Sequence, residues 1–144
     1  MILKDEAATL AVGERLARQL RPGDVVTLAG DLGAGKTTLV RGMLHALGHD
    51  GEVPSPSFAI VQPYEDLAPP VWHADLYRLE DRSELAELGL DSTGDGVLVV
   101  EWPERAGEGA WPEALRLTLE ITGPKRRRLT AGVPAAWEGR WPPR

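Results

Sequence analysis

The stretch Gly30-Asp31-Leu32-Gly33-Ala34-Gly35-Lys36-Thr37 constrains this chain more than any other part of it, because of what flanks it. The apolar run Val25-Val26-Thr27-Leu28-Ala29 before it reads as a buried strand, and the segment Thr37 to Leu47 after it reads as a helix. Strand, glycine-rich turn and helix with the spacing G-x-x-x-x-G-K-[ST] is the arrangement of a phosphate-binding loop. Glycines let successive N–H groups converge on an anion without Cβ clashes, and the helix start adds partial positive charge. On this pattern the segment Asp31, Leu32, Gly33, Ala34, Gly35 and Thr38 would surround phosphates. Lys36 would reach the β- and γ-phosphates, and the Thr37 hydroxyl would ligate Mg²⁺. The competing reading, a plain glycine turn with a surface lysine, explains neither the full motif nor its flanks. The implied ligand is a nucleoside triphosphate.

The rest of the chain builds a frame for that loop. Leu10, Leu16, Ala17 and Leu20 recur near helical spacing, with Asp5 as N-cap, and Arg21-Pro22-Gly23-Asp24 forms a turn. Gly48 ends the helix behind the glycine loop. Segments 58–64 and 71–75 read as strands around the proline-rich turn Glu65 to Pro70, and Ser83 to Leu88 as a short helix. Val97-Leu98-Val99-Val100 is apolar throughout, as in a strand covered on both faces of a parallel sheet. Leu115, Leu117, Leu119 and Ile121 alternate as in a half-buried strand, with Arg128 to Ala131 as its hairpin partner. The fold class expected is α/β: a single three-layer P-loop NTPase-like domain with a mixed, mostly parallel sheet and a C-terminal antiparallel hairpin. The domain is expected over residues 1–134, with 135–144 as a C-terminal tail. Trp111-Pro112 and residues 137–144 read as loop or fraying tail.

At 144 residues the chain has room for one such core and none for a separate substrate domain. No apolar run approaches the ~20 residues that span a bilayer. The start Met1-Ile2-Leu3-Lys4-Asp5-Glu6 does not read as an export leader, so a cytoplasmic location is expected. With no cysteine, disulfides and thiolate chemistry are excluded. A net charge of −6 argues against gripping nucleic acid over the whole surface. The one dense basic run, Lys125-Arg126-Arg127-Arg128, reads as a solvated hairpin turn or as a patch for RNA phosphates or an acidic partner.

Hydrolysis would need an acid at a strand end. Glu101 closes the run Val97 to Val100 in the Walker B manner, and Asp75 ends the strand that begins at Val71. Both fall where the carboxyl ends of parallel strands line a ligand crevice. Glu101 would hold metal through water or act as a base toward attacking water. Ser55-Pro56-Ser57, a hydroxyl-bearing loop stiffened by proline, is a candidate switch segment near the γ-phosphate or an ordinary connection. His73 reads more readily as a satisfied structural histidine than as a catalytic one. Trp102, directly after Glu101, offers a stacking face, a partner contact or simple packing.

Three classes of protein share a phosphate loop. A GTPase needs a late Asn-Lys-x-Asp, which the chain lacks, and Asp91-Ser92-Thr93-Gly94 precedes its strand instead of following one. A small-molecule kinase needs an acceptor pocket and an arginine-bearing lid, for which only Arg78 and Arg82 stand as candidates. A compact ATPase that drives or resets a partner fits best, with a pure binding module without turnover as a further alternative that a slow rate in isolation would not separate from it.

Four segments in order carry a closer likeness. They are Gly30 to Thr38, Ser55-Pro56-Ser57-Phe58, His73-Ala74-Asp75-Leu76-Tyr77-Arg78-Leu79 and Val100-Glu101-Trp102-Pro103. Together they resemble the TsaE (YjeE) family, the P-loop ATPases of bacterial tRNA threonylcarbamoyladenosine (t6A) biosynthesis, over about Asp5 to Ala131. The resemblance implies that Lys36 and Thr37 serve phosphate and Mg²⁺, that Ser55-Pro56-Ser57 is the switch, and that Asp75 and Glu101 position metal or water. Thr9 sits where the family has a threonine near the nucleotide, and Trp102 matches its tryptophan after the acid. Ser57 departs from the usual Ser-Pro-Thr, keeping the hydroxyl and losing a methyl. TsaE-like proteins act with a TsaB–TsaD complex, in which TsaD modifies adenosine 37 of tRNAs reading codons that begin with adenine. The implied role is an accessory ATPase using ATP and Mg²⁺, with slow or partner-dependent hydrolysis and indirect contact with tRNA.

Overall fold

In the computed structural model, which describes residues 1–53, 61–81, 83–89, 95–107 and 109–143 (backbone only at 86 and 87), a single mixed sheet organises the chain. Its strands are β1 (Ile2–Leu3), β2 (Val25–Ala29), β3 (Val61–Tyr64), β4 (Val71–Asp75), β5 (Val97–Glu101), β6 (Leu115–Ile121) and β7 (Arg127–Gly132). Its helices are α1 (Glu6–Ala17), α2 (Lys36–Ala46) and the one-turn α3 (Glu84–Glu87). The strand order is β1-β7-β6-β2-β5-β4-β3. The centre, β6-β2-β5-β4, is parallel; β3 at one side and β7 with β1 at the other are antiparallel. All five residues of β5 are buried, which is why that strand reads as an uninterrupted apolar run. β6 keeps one face wet, and its burial alternates accordingly.

Register then fixes the site. Leu28 of β2 and Asp75 of β4 both pair with Glu101 of β5, so three parallel strands end together. The crevice beyond such carboxyl ends is where open α/β sheets bind ligands.

Helices α1 and α2 cover the sheet face formed by Val26, Leu28, Val97, Val99, Leu115, Leu117 and Leu119. The opposite face, with Ala74, Leu98 and Val100, is covered more thinly by Leu76, Leu79, Leu85, Leu88, Ala106 and Trp111. Helix α1 starts at the expected Asp5, whose carboxylate accepts from the Ala8 amide at 2.9 Å. Its buried face, Thr9, Val12, Gly13, Leu16 and Ala17, repeats at i, i+3, i+4, i+7 and i+8. Where the two helices cross, a Cβ on Gly13 would stand 2.2 Å from the Leu39 carbonyl, and one on Gly42 would stand 2.4 Å from that of Leu10. Only glycine permits backbones this close. The crossing sets Thr9 against the glycine loop, its Cγ2 3.8 Å from where a Gly35 Cβ would lie.

Two features depart from the sequence reading. Strand β1, too short to show a period, pairs with β7 and buries Leu3. Residues 137–143, read as loop or fraying tail, are held against the domain at Trp137 and Arg140. Trp137 is fully buried, and the nearly buried Arg140 guanidinium stacks 3.9 Å from its ring. That guanidinium meets both Asp24 oxygens, at 2.7 and 3.0 Å, and the Gln19 and Ala136 carbonyls at 2.8 Å. A segment without periodicity gives no pattern to read, but a tryptophan carries enough apolar area to seek the core. Among the described residues, no helix is long and apolar enough to cross a membrane.

Candidate functional site

The two helix starts differ in a way that matters. Asp5 caps α1 with its own carboxylate, whereas the N-cap of α2 is Gly35, in a left-handed conformation and with no side chain to offer. Among the described residues no side chain caps the first amides of α2, the arrangement in which a helix start receives an anion. The loop before them presses on β6. Gly30 has φ +141, and a Cβ there would meet the Leu119 carbonyl at 2.4 Å. Packing against β6 by itself demands glycine here.

Lys36 is almost fully buried at the start of α2. Its Nζ donates to the Gly30 carbonyl at 2.5 Å and lies 3.6 Å from the Trp102 ring centroid. Burial pushes its pKa below the ordinary 10.5, against the opposing pull of Glu101, Asp75, Glu104 and Asp31. Next to it, the Thr37 hydroxyl lies 3.4 and 3.2 Å from Oε1 and Oε2 of Glu101. Glu101 is buried, and its Oε2 is 2.6 Å from Nε2 of the fully buried His73. Asp75 is buried one strand over, and its Oδ1 accepts from the Tyr77 amide at 2.9 Å. So both expected acids reach the crevice, and Glu101 is bonded to the loop threonine.

Trp102 adopts φ 59, ψ 50, a left-handed conformation rare for a bulky residue. Its backbone N–H donates to the Leu28 carbonyl, and its ring packs 4.9 Å from Tyr77. The indole thus faces Lys36 at the start of α2.

Two cavities flank the loop. One of about 240 Å³ is lined by Leu32, Lys36, Thr37, Asp75, Glu101 and Trp102, together with Gly33, Gly35 and Thr38. The other, about 480 Å³, shares Gly33, Gly35 and Thr38 and adds Thr9, Asp5, Ala34, Lys125 and Arg127. Two chambers meeting at one helix start suit an elongated ligand with an anionic end and a bulkier end. Asp31 is exposed at the loop mouth and lines neither chamber.

The basic run does not form one patch. Arg127 turns inward, its Nε donating to the Ala34 carbonyl and an Nη to that of Gly33, each at 3.1 Å, while Lys125, Arg126 and Arg128 are exposed. Arg127 thus ties the β6–β7 hairpin to the glycine loop. Sequence reading missed this, and it missed the His73 contact; the available signal for the latter was a histidine two residues before Asp75, on the same strand face. The switch candidates Ser55, Pro56 and Ser57, with Arg82 and Asp91-Ser92-Thr93-Gly94, lie outside the described residues.

A parallel-centred sheet whose glycine loop opens a helix at the carboxyl edge defines a P-loop NTPase-like protein. Within that class the chain belongs to the TsaE family: the family model described as "Threonylcarbamoyl adenosine biosynthesis protein TsaE" matches residues 3–129. The chain is 43% identical over 124 residues to the tRNA threonylcarbamoyladenosine biosynthesis protein TsaE of Bacillus subtilis strain 168, covering 85% of this chain and 77% of that one. The protein of the same description from Streptomyces coelicolor is 47% identical over 113 residues, 76% of each chain. The crystal structure of YdiB from Bacillus subtilis superposes with a TM-score of 0.74 at 34% identity, covering 91% of this chain and 82% of that one.

Proposed function

We propose that this chain is a Mg²⁺-dependent ATP-binding and ATP-hydrolysing accessory protein for t6A formation at adenosine 37 of tRNA, acting with a TsaB–TsaD complex in the cytoplasm. The observation that carries the reading is the bond between Thr37 and Glu101 at the open start of α2. A hydroxyl and a carboxylate side by side are the hard oxygen donors that suit Mg²⁺, which takes one or two protein groups and leaves its other positions to phosphate and water. When bound, Mg²⁺ neutralises charge across the β- and γ-phosphates.

The chain's own residues supply the rest. The amides of α2 and Lys36 hold the phosphates, displacing Lys36 from the Gly30 carbonyl. Glu101 and Asp75 orient water at the γ-phosphate end. The 480 Å³ chamber, with Thr9 and Lys125 in its walls, takes the nucleoside. Membership of the TsaE family supports the pathway, and the preference for ATP and for TsaB–TsaD rests on the family resemblance.

The test is Glu101→Ala. It is expected to leave ATP binding within about threefold while lowering kcat by at least about 100-fold, in the range of a lost general acid–base or water-positioning group. A Glu101→Ala protein that hydrolyses ATP normally would remove Glu101 from the mechanism and make Asp75 the candidate.

A further inference from the structure

His73 touches the site from behind and plays no part in the scheme above. It lies on β4 opposite Val99, one pleat back from Glu101 along β5 and on the same sheet face, and it is fully buried. Its Nε2 is 2.6 Å from Glu101 Oε2, while its Nδ1, also buried, meets no hydrogen-bonding group among the described residues. A proton on Nδ1 would therefore be an unsatisfied buried donor, whereas a bare lone pair there costs less. The tautomer with its proton on Nε2 instead donates an N–H hydrogen bond to Glu101.

We propose that His73 is a positioning residue: its Nε2–H fixes the Glu101 carboxylate so that the remaining lone pairs face the Thr37 hydroxyl and the phosphate end of the crevice. The inference rests on Glu101 being the acid of a Mg²⁺–ATP site. Without that donor, the carboxylate keeps only the longer Thr37 contacts, at 3.2 and 3.4 Å, and is held less firmly about its last side-chain bonds. Outer contacts of this kind orient the groups that meet a metal, and their loss costs about 10- to 100-fold in metal affinity or activity. A histidine retained for packing alone has no need of a 2.6 Å contact with a buried carboxylate.

The test compares wild type with His73→Gln, which keeps an amide N–H near the position of Nε2, and His73→Leu, which fills the space without a donor. In nucleotide-free wild type, long-range ¹⁵N–¹H NMR should show the Nε2–H tautomer. His73→Leu should lower kcat by about 10- to 100-fold and raise the Mg²⁺ concentration needed for half-maximal ATP binding by a similar factor. Metal-free ATP affinity should stay unchanged, and His73→Gln should recover most of both losses. In a Glu101→Gln background, His73→Leu should add no further loss. An Nδ1–H tautomer, or a folded His73→Leu protein with wild-type kcat and Mg²⁺ dependence, would overturn this role alone. A wild-type chain that binds no ATP would overturn the proposed function and this role with it.

Discussion

Lys36 stands over Trp102, its Nζ 3.6 Å from the indole centroid, with one N–H donating a hydrogen bond to the Gly30 carbonyl. A buried ammonium of this kind needs partners, and here an aromatic face and a loop carbonyl serve. A bound phosphate would be a better one. On the proposed function, nucleotide binding would exchange contacts at Lys36, and its energetics should carry the mark of that exchange.

The first prediction concerns pH. Burial lowers the Lys36 pKa below 10.5 in the free protein, while a phosphate partner raises it in the complex. The complex therefore holds more protons than the free site between those two values. Affinity for ATP should fall as pH climbs through the lowered pKa, with proton uptake on binding, measured by calorimetry in buffers of different ionisation enthalpy. Lys36→Ala should weaken ATP binding by on the order of 100-fold at neutral pH and abolish the alkaline decline.

Trp102 pairs its contact with backbone strain. At φ 59 any side chain with a Cβ is disfavoured, by about 1–2 kcal/mol. Trp102→Gly should therefore be more stable than Trp102→Ala by about 1 kcal/mol in urea denaturation, the reverse of the usual order. Equal stabilities would mean that the loop relaxes out of this conformation once the indole is gone.

Stability at the far end of the molecule depends on Arg140 and Asp24, paired at 2.7 Å and nearly buried. Arg140→Ala strands the Asp24 carboxylate and should cost about 3 kcal/mol, seen as a lower denaturation midpoint. ATP affinity, measured well below that midpoint, should not change, since neither cavity at the glycine loop includes either residue.

At the helix crossing, Gly42→Ala would drive a methyl to 2.4 Å from the Leu10 carbonyl. The helices must separate, at a cost of about 1–3 kcal/mol. Because α1 carries Thr9 to the loop, the same change should also weaken nucleotide binding. A surface substitution such as Glu14→Ala on α1 should do neither.

What the sequence revealed and what it hid divide along a physical line. The glycine loop, the strand ending in Glu101 and the alternation of β6 are local patterns, written in neighbouring residues, and the structure reproduces their elements. The pairing of His73 with Glu101 joins residues 28 apart, and that of Arg127 with the Ala34 carbonyl joins residues 93 apart. Only strand order and register bring those partners together. The tail illustrates the same limit, since Arg140 finds its partners in Asp24 and Gln19, 116 and 121 residues earlier.

The most direct measurement is Mg²⁺-dependent ATP hydrolysis by the purified chain, first alone and then with a TsaB–TsaD complex and tRNA. A slow rate alone that rises when the complex is added, and is lost in Glu101→Ala, is the predicted result. A rate indifferent to the complex, with phosphate passed to a small acceptor instead of water, would contradict the accessory role and make the chain a kinase.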